Sequence, residues 1–135
     1  MATFPLELVT PEKIMFAEEV QAIRAPGTDG SLGVLAHHAP LLTELTTGLI
    51  KVTRANGQEA YIATSGGFLQ VTREKVIILA DSAELSEEID VERAKATADR
   101  ARKLLEVPGG DIDAEAVRAE LERAQNRIRI AQMRS

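Results

Sequence analysis

The sequence predicts an α+β chain: an N-terminal β-sandwich or small barrel of many short strands, followed by a C-terminal antiparallel two-helix hairpin. Three observations carry this. Short β-rich runs separated by tight turns fill the first part of the chain. All four aromatic residues, Phe4, Phe16, Tyr61 and Phe68, fall within that part. After residue 86 the apolar spacing changes from a strand period to a helix period. The boundary is therefore set at residues 1–86 for the β domain and 87–135 for the hairpin.

The strand candidates, in order, are FPLELV, EVQAIRA, GLIKVTR, EAYIAT, GFLQV and KVIILA. They are short and rich in β-branched and aromatic side chains. Ala55-Asn56-Gly57-Gln58 places Asn-Gly between two of them, a strong hairpin signal with both central residues expected at positive φ. Gly27-Thr28-Asp29-Gly30 and Thr72-Arg73-Glu74-Lys75 read as further turns. The glycines of SGGF, residues 65 to 68, suit a bend or close strand packing.

Val91, Ala94, Ala98, Ala101 and Leu105 then form one stripe of a helix. Pro108-Gly109-Gly110 breaks the chain, and Asp111 or Asp113 caps a second helix. Its stripe is Ala114, Val117, Leu121, Ala124, Ile128 and Ala131. So short a connection makes the helices antiparallel. The first stripe is mostly alanine. A buried methyl contributes about 0.8 kcal/mol, whereas ordering a residue costs about 1.5 kcal/mol before hydrogen bonds and propensity are counted. The hairpin is therefore expected to be locally helical, weakly docked and settled by whatever else binds it.

Composition narrows the function classes. The chain has 135 residues, no cysteine and a net charge of −5. Disulfides and thiolate metal sites are excluded. An acidic chain is a poor general nucleic-acid binder. No apolar run approaches the ~20 residues of a membrane span, and MATFPLELVTPEK does not read as a signal peptide. The charge is uneven. Residues 1–84 carry net −4 and residues 85–122 net −5, while Arg123, Arg127, Arg129 and Arg134 make residues 123–135 net +4. That basic tip either complements a helix C-terminus or meets an acidic or phosphorylated partner.

No catalytic constellation emerges. His37 and His38 are adjacent, so in a strand they face opposite sides and chelate poorly; an enzyme built on either is the weakest reading. Asp90 serves as an N-cap with Glu92 in the first turn. Arg123 and Arg127, at i and i+4, share a helix face. In an antiparallel hairpin they lie beside the start of the first helix. Arg93, Arg123 and Arg127 are thus expected to cluster near Asp90, a suitable setting for an anionic ligand such as a nucleotide phosphate.

GSLGVLAHHAPLLTEL, residues 30 to 45, resembles the G-x-L-G-[IV]-L-x-x-H-x-P-L segment of the epsilon subunits of bacterial F-type ATP synthases. SGGFLQV and VIILADSAE follow in the family's order, and IDVERA, residues 89 to 94, is similar to its [IL]-D-x-x-R-A motif. The resemblance runs the length of the chain and implies a β-sandwich followed by two helices. It implies a non-catalytic rotor subunit of the central stalk. Its β domain would contact the gamma subunit and the ring of c subunits, on a complex peripheral to the cytoplasmic side of the cell membrane. It implies a hairpin that folds or extends toward the alpha/beta catalytic head, inhibiting ATP hydrolysis when extended and, in several members, binding ATP when folded. No catalytic cofactor is implied; ATP is a regulatory ligand. Carried over by position, the ATP contacts are Glu84, Ile89, Asp90, Arg93, Ala94, Arg123 and Arg127. The rotor interface would include Asp29, Ser31 and His38, although the GTDGS loop differs from the family's usual pattern there. Arg123, Arg127, Arg129 and Arg134 would meet an acidic segment of a beta subunit. The alternative keeps the rotor role and makes the hairpin a protein-contact arm without nucleotide.

Overall fold

The computed structural model describes residues 2–107 and 113–133. It contains the expected sandwich of strands and the two helices. The strands are β1 (Phe4–Val9), β2 (Ile14–Gly27), β3 (Gly30–Leu35), β4 (Leu41–Leu45), β5 (Gly48–Arg54), β6 (Glu59–Thr64), β7 (Gly67–Val71), β8 (Val76–Ala80) and β9 (Ala83–Leu85). A 3-10 turn, Ser86–Glu88, leads to α1 (Val91–Glu106) and α2 (Ala114–Ala131).

The six expected runs are strands, but β2 is longer than EVQAIRA, and β3, β4 and β9 are additions. β3 and β4 flank the histidine segment, where His37 takes φ 67° and reverses the chain.

The strand order is β1-β8-β7-β4-β2-β5-β6-β9, with β3 on β2 and β1 also paired to β2. The length of β2 allows this. Its first half pairs with β1, and its second half, beyond a bulge near Val20, pairs with β5. One strand thus serves both layers, bent where a bulge adds local twist. Strict alternation in β7 and β8 sends Leu69, Val71, Val76 and Ile78 inward. They meet Leu6, Leu8, Val20, Ile50, Val52 and Ile62 in one core.

The β5–β6 hairpin sits where Asn-Gly placed it, with a different turn. Only Gly57 has positive φ, at 89°, among the turn residues. Its amide donates to the Arg54 carbonyl (2.9 Å), and the Arg54 amide donates to the Gln58 carbonyl (2.8 Å). This is a three-residue loop ending in a left-handed glycine. Asn56 instead accepts the Gln58 amide on Oδ1 at 2.9 Å, the local bond that makes asparagine a turn former. Gly67 is needed for close approach. It sits at φ 142°, and a Cβ there would collide with the Leu79 carbonyl.

Both helices begin as capped helices should. Asp90 Oδ1 accepts the Arg93 amide at 3.1 Å, and Asp113 Oδ1 accepts the Ala116 amide at 3.2 Å. Of the two proposed caps for α2, Asp113 therefore takes the role; Asp111 and the Pro108-Gly109-Gly110 break lie outside the described residues. α1 buries Ala94, Ala98 and Ala101 against α2. α2 also reaches β5, β6 and the 3-10 turn. Its expected stripe includes Ala131 of this contact but omits Ile130. Ile130 is fully buried beside Ala63, Ile89 and Ala131, with Leu49, Tyr61, Val91 and Met133 around them. The hairpin is thus held to the sandwich by a second, smaller core beneath the end of α2.

Candidate functional site

A cleft of about 520 Å³ opens where the hairpin meets the sandwich. The sandwich contributes Ser65, Ser82 and Glu84, α1 contributes Arg93, and α2 contributes Arg123 and Arg127. Each position follows from local structure. Glu84 lies in β9, opposite Ala63 of β6. Arg93 lies in the first turn of α1, whose start is fixed by the Asp90 cap. Arg123 and Arg127 share the face of α2 that flanks buried Ala124.

The charges are partly matched. Arg127 Nε lies 2.6 Å from Glu84 Oε1, with both side chains about one-third exposed. The contact is a charge pair rather than an aligned hydrogen bond, because that Nε–H, buried from water, has no acceptor in its direction. Glu120 is taken by Arg100 of α1 at 2.9 Å. Arg93 and Arg123 have no carboxylate partner among the described residues. Ser65 Oγ and Ser82 Oγ share a hydrogen bond of 2.7 Å on the sandwich wall. One of their two hydroxyl hydrogens is used between them; the other remains free to donate. The cleft therefore offers guanidinium and hydroxyl donors to an anion.

Of the seven residues expected to contact ATP, Glu84, Arg93, Arg123 and Arg127 line the cleft. Ile89, Asp90 and Ala94 do not. Ile89 packs in the small core under α2, the Asp90 carboxylate caps α1, and Ala94 is fully buried between the helices. Asp90 thereby fixes the start of α1, on whose first turn Arg93 lies.

Asp29 is exposed in the β2–β3 turn. Ser31 Oγ accepts from Arg24 Nη1 at 3.3 Å. His38 Nδ1 lies 2.7 Å from the Ala39 carbonyl, to which it donates in the matching tautomer. No group of three or more His, Asp or Glu residues is placed to hold a metal ion among the described residues. Arg129 lies outside the cleft and donates to Asn126 Oδ1 at 2.6 Å; Arg134 lies outside the described residues.

Two features escaped the sequence. Asn126, buried at the cleft edge, carries no apolar signal. On the outer face of the sheet, Leu42, Phe68 and Leu79 are 68%, 51% and 55% exposed, and Phe68 stands opposite Leu79 in the register. Apolar residues on both faces of GFLQV and VIILA were the available sign.

This arrangement, a sandwich carrying a helical hairpin with an arginine-lined cleft between them, defines a class. Residues 3–86 match the family model of the ATP synthase delta/epsilon chain β-sandwich domain, and residues 87–132 match that of the delta/epsilon chain long α-helix domain. The ATP synthase epsilon chain of Desulforamulus reducens is 45% identical over 127 residues, covering 94% of this chain and 96% of that one. The epsilon chain of Moorella thermoacetica is 46% identical over 132 residues, covering 97% and 98%. Among solved structures, a chain of the Euglena gracilis mitochondrial ATP synthase, from an assembly of OSCP, F1 and c-ring, superposes with a TM-score of 0.82 at 27% identity, covering 93% of this chain and 79% of that one. The chain belongs to the epsilon-chain family of ATP synthase subunits.

Proposed function

We propose that this chain is a non-catalytic central-stalk subunit of an F-type ATP synthase, and that its folded hairpin binds ATP in the cleft. One observation supports nucleotide binding above the rest: Arg93, Arg123 and Arg127 converge from two helices onto a cavity shared with the sandwich. Two of these guanidiniums lack a carboxylate partner among the described residues, and the third is paired with Glu84. Glu12, Glu84 and Glu120 also line the cavity, but only Glu84 is paired with one of these three arginines; phosphate suits the fork geometry of the other two.

In the proposed cycle the β domain binds the gamma subunit through the exposed Leu42, Phe68 and Leu79 face. The rim near Asp29, Ser31 and His38 meets the c-ring, which places the subunit at the membrane, on the cytoplasmic side, through the complex alone. Among the described residues no helix is long and apolar enough to cross a membrane. The extended hairpin would reach the alpha/beta head and inhibit hydrolysis through Arg123, Arg127, Arg129 and Arg134. In the folded posture Arg127 is paired with Glu84 and Arg129 with Asn126. Extension must release both, so the docked contacts compete directly with inhibition. A ligand confined to the folded state shifts that competition by RT ln(1 + [L]/Kd).

Calorimetric titration of ATP into the purified chain tests the reading. Saturable heat at millimolar ATP is expected, with Arg93→Ala or Arg123→Ala weakening binding at least tenfold. Arg102→Ala, on an arginine paired with Asp99 away from the cleft, should leave binding unchanged. Absence of saturable heat in the wild type would refute nucleotide binding and leave the hairpin a protein-contact arm.

A further inference from the structure

The contact between α2 and the sandwich is wholly apolar: Ile130 and Ala131 pack on Ala63, with partly buried Leu49 and Tyr61 at its border. Apolar burial is non-directional, so such a contact defines an area better than a register. A polar group lies beside this contact. Asn126 is 4% exposed. Its Nδ2 donates to the Gly48 carbonyl at 3.0 Å, and its Oδ1 accepts from Arg129 Nη2 at 2.6 Å. The acceptor is held firmly. Gly48 opens β5 with no room for a side chain, since a Cβ there would lie 2.7 Å from Pro26 Cβ. The neighbouring Thr46 amide donates to the Pro26 carbonyl at 2.8 Å. Asn126 also lines the cleft, three residues after Arg123 and one before Arg127.

We infer that Asn126 is a positioning residue: its hydrogen bond to the Gly48 carbonyl fixes the register of α2 on the sandwich and thereby sets Arg123 and Arg127 in the cleft. Sliding α2 by one turn would bury an amide and a carbonyl without partners. Each such loss disfavours the slipped state roughly 5- to 150-fold. A single buried asparagine selects a register in the same way in helix–helix seams. The register role stands on the Asn126 geometry; its consequence for ligand binding rests on the nucleotide reading above.

Asn126→Asp is the discriminating variant. It keeps the shape and the acceptor for Arg129, but turns the donor facing Gly48 into a second acceptor. Amide exchange of α2, measured on the full chain without nucleotide at neutral pH, should accelerate about 10- to 100-fold relative to wild type. The sandwich strands should be unaffected. Lowering the pH through the carboxyl range, ~4 for a free aspartate, restores a donating O–H. Protection in Asn126→Asp should then recover relative to wild type at the same pH, while Asn126→Ala should show no recovery. Wild-type exchange rates in Asn126→Asp at neutral pH would overturn the inference, as would identical behaviour of the two variants at every pH. If Asn126→Asp loosens α2 but the wild type binds no ATP, the register role stands and the nucleotide reading fails. If the wild type binds ATP, Asn126→Asp should weaken it about tenfold or more at neutral pH; undiminished affinity would overturn the claim that the residue sets the arginines.

Discussion

Ile130→Ala isolates the contact that docks the hairpin. Ile130 is fully buried, yet it belongs to the small core under α2 and not to the core of the sandwich. Replacing a buried isoleucine by alanine costs about 2–5 kcal/mol, with the size set by how far the site collapses. This core is bordered by partly exposed Leu49, Tyr61, Val91 and Met133, which can relax inward. A value near the lower end, about 2.5 kcal/mol, follows, equivalent to an increase of about 70-fold in undocked hairpin. Amide exchange separates local from global opening. The variant should accelerate exchange along α2 by about that factor and leave β5, β7 and β8 at wild-type rates. A second probe is built in. Tyr61 is the only tyrosine and the chain has no tryptophan, so its fluorescence reports the environment under α2. Equal acceleration in strands and helices would refute the reasoning, because it would make hairpin and sandwich one cooperative unit. Unchanged α2 exchange would refute it equally, by showing that Ile130 holds nothing.

Two further predictions concern the sandwich. Gly67→Ala forces a Cβ into the Leu79 carbonyl at a positive φ, so the melting transition of the β domain should fall, by about 3 kcal/mol or more if the strands cannot part; an unchanged melting temperature would show that β7 and β8 separate freely. The Tyr61 hydroxyl donates to Glu59 Oε2 at 2.6 Å. This bond raises the tyrosine above its ordinary 10.0 and, with the Lys51 charge, holds Glu59 below the ordinary carboxylate value of 4.5. The raised tyrosine contributes stability that is present below pH 10 and lost as pH climbs through its folded value. The lowered carboxylate contributes stability that is present above its unfolded value and lost as pH falls through the folded one. An absorbance titration of Tyr61 should have its midpoint above 10 in the wild type and closer to 10 in Glu59→Gln; identical midpoints would exclude the bond.

How much of this was readable depended on the kind of signal. Strands such as FPLELV and GFLQV declared themselves by composition and spacing, and the alanine stripe of α1 by its period. β3 and β4 were hidden because Gly30–Leu35 and Leu41–Leu45 carry glycine, leucine and polar residues in place of an unbroken β-branched run. The Asn-Gly turn was placed correctly but classed wrongly, since the Asn56 side chain satisfies the Gln58 amide without a left-handed asparagine. In α2 the +3, +4 spacing runs through Ile128 and leaves out Ile130, although residues two apart on a helix cannot both face one neighbour. The pair Ile128 and Ile130 was therefore a sign of two packed faces. For the site, helix geometry brought the arginines together in advance. The roles of Ile89, Asp90 and Ala94 were not separable from sequence, because a motif records which residues matter without distinguishing contact from support. Asn126 left no trace, since a buried polar side chain looks like a surface one until its partner carbonyl is known.

The proposed regulation requires a hairpin whose docking is marginal and shifted by its ligand. Amide exchange of α2, compared with that of β5 and β7 in nucleotide-free protein and again with ATP at a hundredfold excess over its Kd, tests this most directly. The expected result is α2 opening well before the strands without nucleotide and slowing about 100-fold with ATP, the factor set by 2.7 kcal/mol of linkage. Helix amides as protected as the sandwich in the absence of nucleotide, and indifferent to ATP, would contradict it.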